Sequence, residues 1–298
     1  MNKAYEKKPE VAKRMKFKNH LKSIKATLVD HPSMKDLEKY IPEFCAITWM
    51  DGIEDIDEFL KGRKLTRHDM VVAMFNRQTL PTALETVRLT FFLEGLDLTN
   101  VTHLLRHRLF SFSAQSTDPR SMENHDILTN DAWSLHGDLC EEARGLCMQA
   151  NELYKKALRR GLTYYDARHY MPRAKESKYF MSGSIKDYLM FLKTRLGRQN
   201  QPTSDNILAM RIRQEILRVY PLLKDQIPVE EVQWAYINGI NKKMNLNTFP
   251  PDRLHSEELY DLGIEYESDI KFDHPKPRNQ YHHMGAFEQL AKKIDDES

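Results

Sequence analysis

A chain of 298 residues is long enough for one large domain or two small ones, and for a real buried core. It is 41% hydrophobic and 30% charged with a formal net charge of +2, which fits a soluble globular protein and gives no electrostatic case for nucleic acid as the main partner. No apolar run approaches the ~20 residues that span a bilayer, the basic N-terminus lacks the apolar stretch and cleavage site of a signal peptide, and the three cysteines form no CxxC pair, so a reducing, cytoplasmic compartment is expected.

The first 28 residues hold nine Lys or Arg against two Glu, and residues 1–22 read as a solvated basic arm or helix. Ser23 to Asp30 is strand-like, rich in β-branched residues and stopped by His31-Pro32. Met34 to Leu60 reads as helical pieces broken near Pro42 and Gly52. Thr86 to Leu93 alternates as a strand and ends at Gly95. Leu98 to Leu105 reads as a short helix with Thr99 or Asn100 as its N-cap.

Asp131 to Arg160 reads as a long amphipathic helix, with Leu139, Ala143, Leu146, Ala150, Leu153 and Ala157 on its apolar face and Gly161 as its stop. Cys140 and Cys147, seven apart on it, read as packing residues. Asp187 to Arg195 is helical. Asp205 to Tyr220 is a strong helix, capped by Ser204 or Asp205 and stopped by Pro221. Its apolar face (Leu208, Ile212, Ile216, Val219) fits either a core or a subunit contact. The expected fold class is α+β: a helix-rich single domain over 23–222 with a small central antiparallel or mixed sheet. Residues 223–298 form a C-terminal extension whose tail, from Asp273 with Pro275 and Pro277, is expected to be poorly ordered. His282-His283 has no partner at ligand spacing, so no metal is expected.

The chemistry concentrates at Arg106-His107-Arg108, which is followed by seven residues and Ser116. Guanidiniums offer a fixed fork of donors to phosphate oxygens, and a hydroxyl-rich loop adds donors without charge. The bland alternative is that these cations complement the negative end of a helix dipole. The sequence has no G-x-G-x-x-G, no phosphate-binding P-loop, no H-E-x-x-H and no nucleophile elbow.

From residue 24 to 222 the order of short elements resembles the flavin-dependent thymidylate synthases. Arg-His-Arg, seven residues and Ser is their signature. Thr82-Ala83-Leu84-Glu85 is similar to their Thr-Pro-Phe-Glu element, and Ala167-Arg168-His169-Tyr170-Met171-Pro172 to their Ala-Arg-x-x-Leu-Pro. The stretch Tyr188 to Arg195 resembles the helix whose terminal Arg holds the uracil ring, and Glu215-Ile216 echoes a pair in the next helix.

The resemblance implies FAD bound without a classical dinucleotide fold, with methylenetetrahydrofolate and NADPH as co-substrates. It implies conversion of dUMP to dTMP and a homotetramer with shared sites. It places Thr82, Glu85, Arg106, His107, Arg108, Ser184 and Lys186 at the flavin. It places His103, Arg106, Ser116, Arg120, Arg168 and Arg195 at the pyrimidine deoxynucleotide monophosphate, with Arg195 as the catalytic residue that stabilises charge on the base.

Departures accompany it. Ala114 stands where the family is acidic, Asp118 where it has Arg, and His103 where it has Gln. Ser184 and Lys186 stand where it has Asn and Arg, and about a dozen residues are inserted between Arg195 and Glu215. Two alternatives follow: an enzyme making a 5-hydroxymethyl pyrimidine nucleotide, or a nucleotide-binding homologue without catalysis. Taken singly, Arg168 could cap its helix or pair with Asp166, and Arg195 could be a helix-terminal cation.

Overall fold

The computed structural model describes residues 15–47, 50–52, 55–115, 122–129, 137–196 and 204–227. Ser116, Asp118, Arg120, the basic stretch before Met15, the inserted residues 197–203 and the chain after Ile227 lie outside the described residues. The chain divides into two compact units. One comprises residues 1–24, 94–103 and 113–179, and the other 25–93, 104–112 and 180–298.

In chain order the described elements are β1 (Phe17–Asn19), α1 (His20–Ser23), β2 (Lys25–Asp30), α2 (Met34–Leu37), α3 (Ile41–Ala46), α4 (Ile56–Gly62), α5 (Arg67–Phe75), α6 (Ala83–Thr86), β3 (Arg88–Leu96) and α7 (Leu98–Leu104). There follow β4 (Ser111–Ala114), β5 (Ile127–Thr129), α8 (Gly137–Arg159), α9 (Tyr164–Ala167), a 3-10 turn (Arg168–Tyr170), β6 (Ser177–Ser184), α10 (Ile185–Leu196), α11 (Ser204–Val219) and a 3-10 turn (Pro221–Gln226). The fold is α+β, helix-rich, with a four-stranded sheet in the order β2-β3-β6-β4 and a separate two-stranded β1-β5 pair. Across β3 and β6, Thr90 Oγ1 donates to Ser182 Oγ at 3.1 Å, and the Phe92 and Phe180 rings lie 5.0 Å apart. Numbers rise on one strand as they fall on the other, which is the mark of an antiparallel pair.

In the larger unit, α11 lies on β2 and α10, and its Leu208, Ile212 and Ile216 are buried. That face is core. Leu89, Phe91 and Leu93 alternate inward along β3, opposite the half-exposed Thr90 and Phe92. The expected break near Pro42 falls between α2 and α3, just before the proline, which sits in the first turn of α3, where its missing N–H is no loss. β4 stands where the sequence suggests a hydroxyl-rich loop, and β6 is a strand that the sequence pattern does not announce. Ser111 and Ser113 in β4 are exposed, and in β6 buried Ser177 and Ser184 and exposed Phe180 blur the alternation in which Tyr179, Met181 and Gly183 are buried.

In the smaller unit, β1 and β5 pair in parallel, with Phe17 opposite Ile127 and Asn19 opposite Thr129. The cap of α7 is neither Thr99 nor Asn100. Asp97 Oδ1 accepts from the backbone N–H groups of both, at 2.9 and 2.8 Å. A carboxylate two and three residues before two free N–H groups satisfies them better than a hydroxyl inside the first turn. Gly95, near the end of β3, takes a φ of +72°, and a Cβ there would lie 2.0 Å from the Ser23 carbonyl oxygen.

The long helix α8 ends at Gly161, whose φ is +88°, as a left-handed stop requires. Its inward face keeps Ala143 and Ala157 of the expected stripe but not Leu146 and Leu153. Leu146 and Leu153 are 61% and 48% exposed, whereas Cys140, Ala143, Asn151, Tyr154 and Ala157 are buried and Cys147 is half-buried. The reason is polar. Tyr154 accepts from the Met122 N–H through its hydroxyl at 3.1 Å, and Asn151 Nδ2 donates to the Glu123 carbonyl. These bonds turn Tyr154 and Asn151 inward and rotate the leucines away.

Candidate functional site

Helix α10 carries the site. Its start is set by a capping box. Ser184 Oγ accepts from the Asp187 N–H at 3.2 Å and donates to Asp187 Oδ2 at 2.6 Å, while the Ser184 N–H donates to the same oxygen at 3.0 Å. Ile185, Tyr188, Leu189, Phe191, Leu192 and Leu196 are buried along one face and hold the helix in place. Lys186 in the first turn and Arg195 in the last therefore stand about 13 Å apart along the axis, at 1.5 Å per residue.

At the first end, Lys186 Nζ meets Glu85 Oε1 at 2.5 Å, joining α10 to α6 across 101 residues of sequence. Both side chains are largely exposed, so the pair adds little stability and remains open to a ligand. Thr82, just before α6, is exposed and caps nothing with its side chain. Ser184 is 3% exposed, and its hydroxyl is committed to the cap.

At the other end, the Arg195 guanidinium directs Nε and Nη2 to His107 Nε2, at 3.2 and 3.1 Å. Its Nη1 lies 3.6 Å from Asp205 Oδ2, and Asn206 Nδ2 donates to the Arg195 carbonyl. His107 stands edge-on to Phe191, with ring centroids 4.9 Å apart, and Phe110 closes the other side at 6.5 Å. Burial, and then the Arg195 charge, hold the His107 pKa below its ordinary value against the opposing pull of Asp205. A neutral ring protonated on Nδ1 is the form that accepts from Arg195.

Phe110 is packed edge-on to Tyr188 at 4.7 Å, and Tyr188 donates its hydroxyl to the Met181 carbonyl. Burial pushes the Tyr188 hydroxyl pKa well up, so it stays a neutral donor. Gly183 makes room for Phe110: a Cβ there would come 2.4 Å from the ring.

Arg106 and Arg108, flanking His107, are exposed, and neither makes an ion pair with another described residue. His103 is exposed and belongs to the smaller unit, as does Arg168. Arg168 is the C-cap residue of α9 through its backbone N–H, and its side chain is not paired with the Asp166 carboxylate. Its guanidinium carbon stacks 4.0 Å over the Tyr165 ring, while Asp166 is held by Thr163. The structure thus brings together His107 with Arg195 and Glu85 with Lys186. Sequence reasoning missed Asp205 and Asn206 as contacts of Arg195. It read this stretch only as a helix cap, because spacing does not reveal which residue a helix start meets.

Among the described residues, no helix is long and apolar enough to cross a membrane, and no group of three or more His, Cys, Asp or Glu could hold a metal.

This architecture and motif order define a class. The family model described as thymidylate synthase complementing protein matches residues 27–222, well over half of the chain, and the chain belongs to that family. The flavin-dependent thymidylate synthase of Pyrococcus furiosus is 26% identical over 178 residues, covering 58% of this chain and 71% of that one. The enzyme of the same name from Thermococcus onnurineus is 27% identical over 177 residues, covering 58% and 70%. The UMP/dUMP methylase PolB from Streptomyces cacaoi, solved with 5-Br dUMP, shares the fold with a TM-score of 0.55 at 17% identity, covering 71% of this chain and 96% of that one.

Proposed function

We propose that this chain is a flavin-linked methylase of pyrimidine nucleotides. It transfers a one-carbon unit from methylenetetrahydrofolate to carbon 5 of a pyrimidine deoxynucleotide monophosphate, and in its finest form the reading is dUMP to dTMP. The observation that carries it is the meeting of Arg195 with His107, which brings two family-like motifs 88 residues apart to one place. Membership of the family over 27–222 and the names of the relatives support it.

In this reading Arg195 presents its paired N–H groups to the pyrimidine and stabilises negative charge as carbon 5 becomes nucleophilic. His107 marks where an acceptor fits. Arg168, Ser116 and Arg120 hold the 5′-phosphate, and His103 and Arg106 line the nucleotide. The exposed guanidiniums of Arg106 and Arg108 fit the pyrophosphate of FAD, and Thr82, Glu85 and Lys186 would flank it. Bound FAD would supply the electrons that turn the transferred carbon into a methyl group, with NADPH as their source. The functional particle is a homotetramer with shared sites, which light scattering tests directly.

Incubation with FAD, NADPH, methylenetetrahydrofolate and UMP, dUMP or dCMP tests the activity by product mass. A gain of CH2 on dUMP is expected. A gain of CH2O would make it the 5-hydroxymethyl enzyme. A second reading, a nucleotide-binding homologue without catalysis, is favoured by one observation: the hydroxyl of Ser184 is already used by the fold. Saturable dUMP binding with no flavin absorbance and no product would select it.

A further inference from the structure

Arg195 lies in the last turn of α10, where backbone carbonyls have no partner further along the helix. A long cation at such a place samples many rotamers unless something outside the helix holds it. Two adjacent residues at the start of α11 do so. Asn206, 2% exposed, donates to the Arg195 carbonyl and fixes its backbone. Asp205, 6% exposed, places a carboxylate oxygen 3.6 Å from Nη1, an ion pair that draws that end of the guanidinium toward α11. Helix α11 is itself anchored by buried Ile207, Leu208, Ile212 and Ile216, so both contacts come from a rigid support. With Nη1 held by Asp205, the remaining edge, Nε and Nη2, is the one aimed at His107.

We propose that Asp205 is the positioning residue that aims the Nε–Nη2 edge of Arg195 at the pyrimidine, with Asn206 fixing the backbone beneath it. The proposal rests on the reading of Arg195 as the pyrimidine-binding residue. Asp205 does not touch the nucleotide. It acts by restricting the guanidinium to the orientation in which two parallel N–H groups meet two acceptors.

The test uses the full chain with Asp205→Asn, which keeps the shape, and Asp205→Ser, which removes the charge but keeps a small polar side chain in the first turn of α11. The first measurement is the His107 titration by NMR without ligand. Loss of the Asp205 charge alone would lower the His107 pKa. Departure of Arg195 would raise it, because that cation adds to burial in disfavouring the imidazolium. A rise is expected. The second is affinity for dUMP and for deoxyribose 5-phosphate. Asp205→Asn should weaken dUMP at least about tenfold, the scale of one charged hydrogen bond, and leave deoxyribose 5-phosphate unchanged. In an Arg195→Ala background the Asp205 change should add nothing. A fall in the His107 pKa with unchanged dUMP affinity overturns the proposal while the Arg195 reading stands. Wild-type dUMP affinity in Arg195→Ala overturns the Arg195 reading itself, and the role of Asp205 with it.

Discussion

Arg195 sends two N–H groups, Nε and Nη2, to a single nitrogen of His107. A guanidinium edge is built for two acceptors, and one imidazole nitrogen serves both only in a shared arrangement. The contact also fixes the charge state of the ring, since an imidazolium has no lone pair to offer.

His107 should therefore give the fold a pH dependence of known sign. Its folded pKa lies below the ordinary 6.5 because of burial and the Arg195 charge. The unfolded chain then binds the proton more readily than the folded one. The stabilisation is fully present above the unfolded value and is lost as pH falls through the folded one. Denaturant unfolding between pH 5 and 8 should show stability declining below about 6.5. His107→Gln, which keeps an acceptor but cannot titrate, should flatten that limb. An unchanged slope in the variant would assign the dependence to other groups.

Gly183 should tolerate no side chain. An added Cβ would meet Phe110 Cδ1 at 2.4 Å and Cε1 at 2.6 Å. The ring has little room to shift, because Tyr188 and Phe191 pack edge-on to it with centroids 4.7 and 6.0 Å away. Gly183→Ala should cost about 1–3 kcal/mol by overpacking, read as a lower denaturation midpoint. Adding Phe110→Leu should recover part of the loss. If the double variant is instead less stable by the sum of the two single effects, the clash is not the cause.

Much of this fold was legible in residue patterns. The β2 and β3 strands, the α10 and α11 helices and the Gly161 stop follow from alternation, 3.6-residue spacing and glycine, all local properties. What stayed hidden depended on partners distant in sequence. Ser184 resembles a ligand position in a motif comparison, yet Ser184-Ile-Lys-Asp187 has the same Ser/Thr-x-x-Asp spacing as Ser33 to Asp36, Thr66 to Asp69 and Thr163 to Asp166. In each, the hydroxyl accepts from the Asp backbone N–H and starts a helix. That repeated signal is present in the sequence and gives Ser184 a structural role beside the aligned one. The contacts of Arg195 with Asp205 and Asn206 had no such signal, because inserted residues separate the two helices.

The inward face of α8 offers a direct contrast. An apolar-periodicity reading makes Leu146 a core residue and ignores Tyr154. The structure leaves Leu146 61% exposed and buries Tyr154 fully, with its hydroxyl on the Met122 N–H at 3.1 Å. Leu146→Gln should change stability by no more than about 0.5 kcal/mol. Tyr154→Phe keeps the ring and leaves a buried N–H without its acceptor, and should cost about 1–3 kcal/mol. Thermal unfolding of both variants decides between the two faces. A costly Leu146→Gln beside a neutral Tyr154→Phe would restore the leucine stripe as the core.

Ser184 separates a helix cap from a flavin ligand. It is buried, and its backbone N–H and hydroxyl both bond Asp187. The cap takes its one hydroxyl proton and one of its two acceptor lone pairs, and the proposed flavin contacts at this end are Lys186 and Glu85. Ser184→Ala should lower stability by about 1 kcal/mol, the usual cost of losing a hydroxyl cap. Ser184→Thr should keep most of it, and neither change should alter FAD affinity beyond what the stability loss explains. Lys186→Met, which removes the charge from an exposed position, should leave stability within about 0.5 kcal/mol while weakening FAD binding. Fluorescence titration with FAD beside thermal unfolding gives both quantities on the same samples. A Ser184→Ala chain of wild-type stability that binds FAD poorly would reverse the assignment, making Ser184 a cofactor contact and its cap geometry incidental.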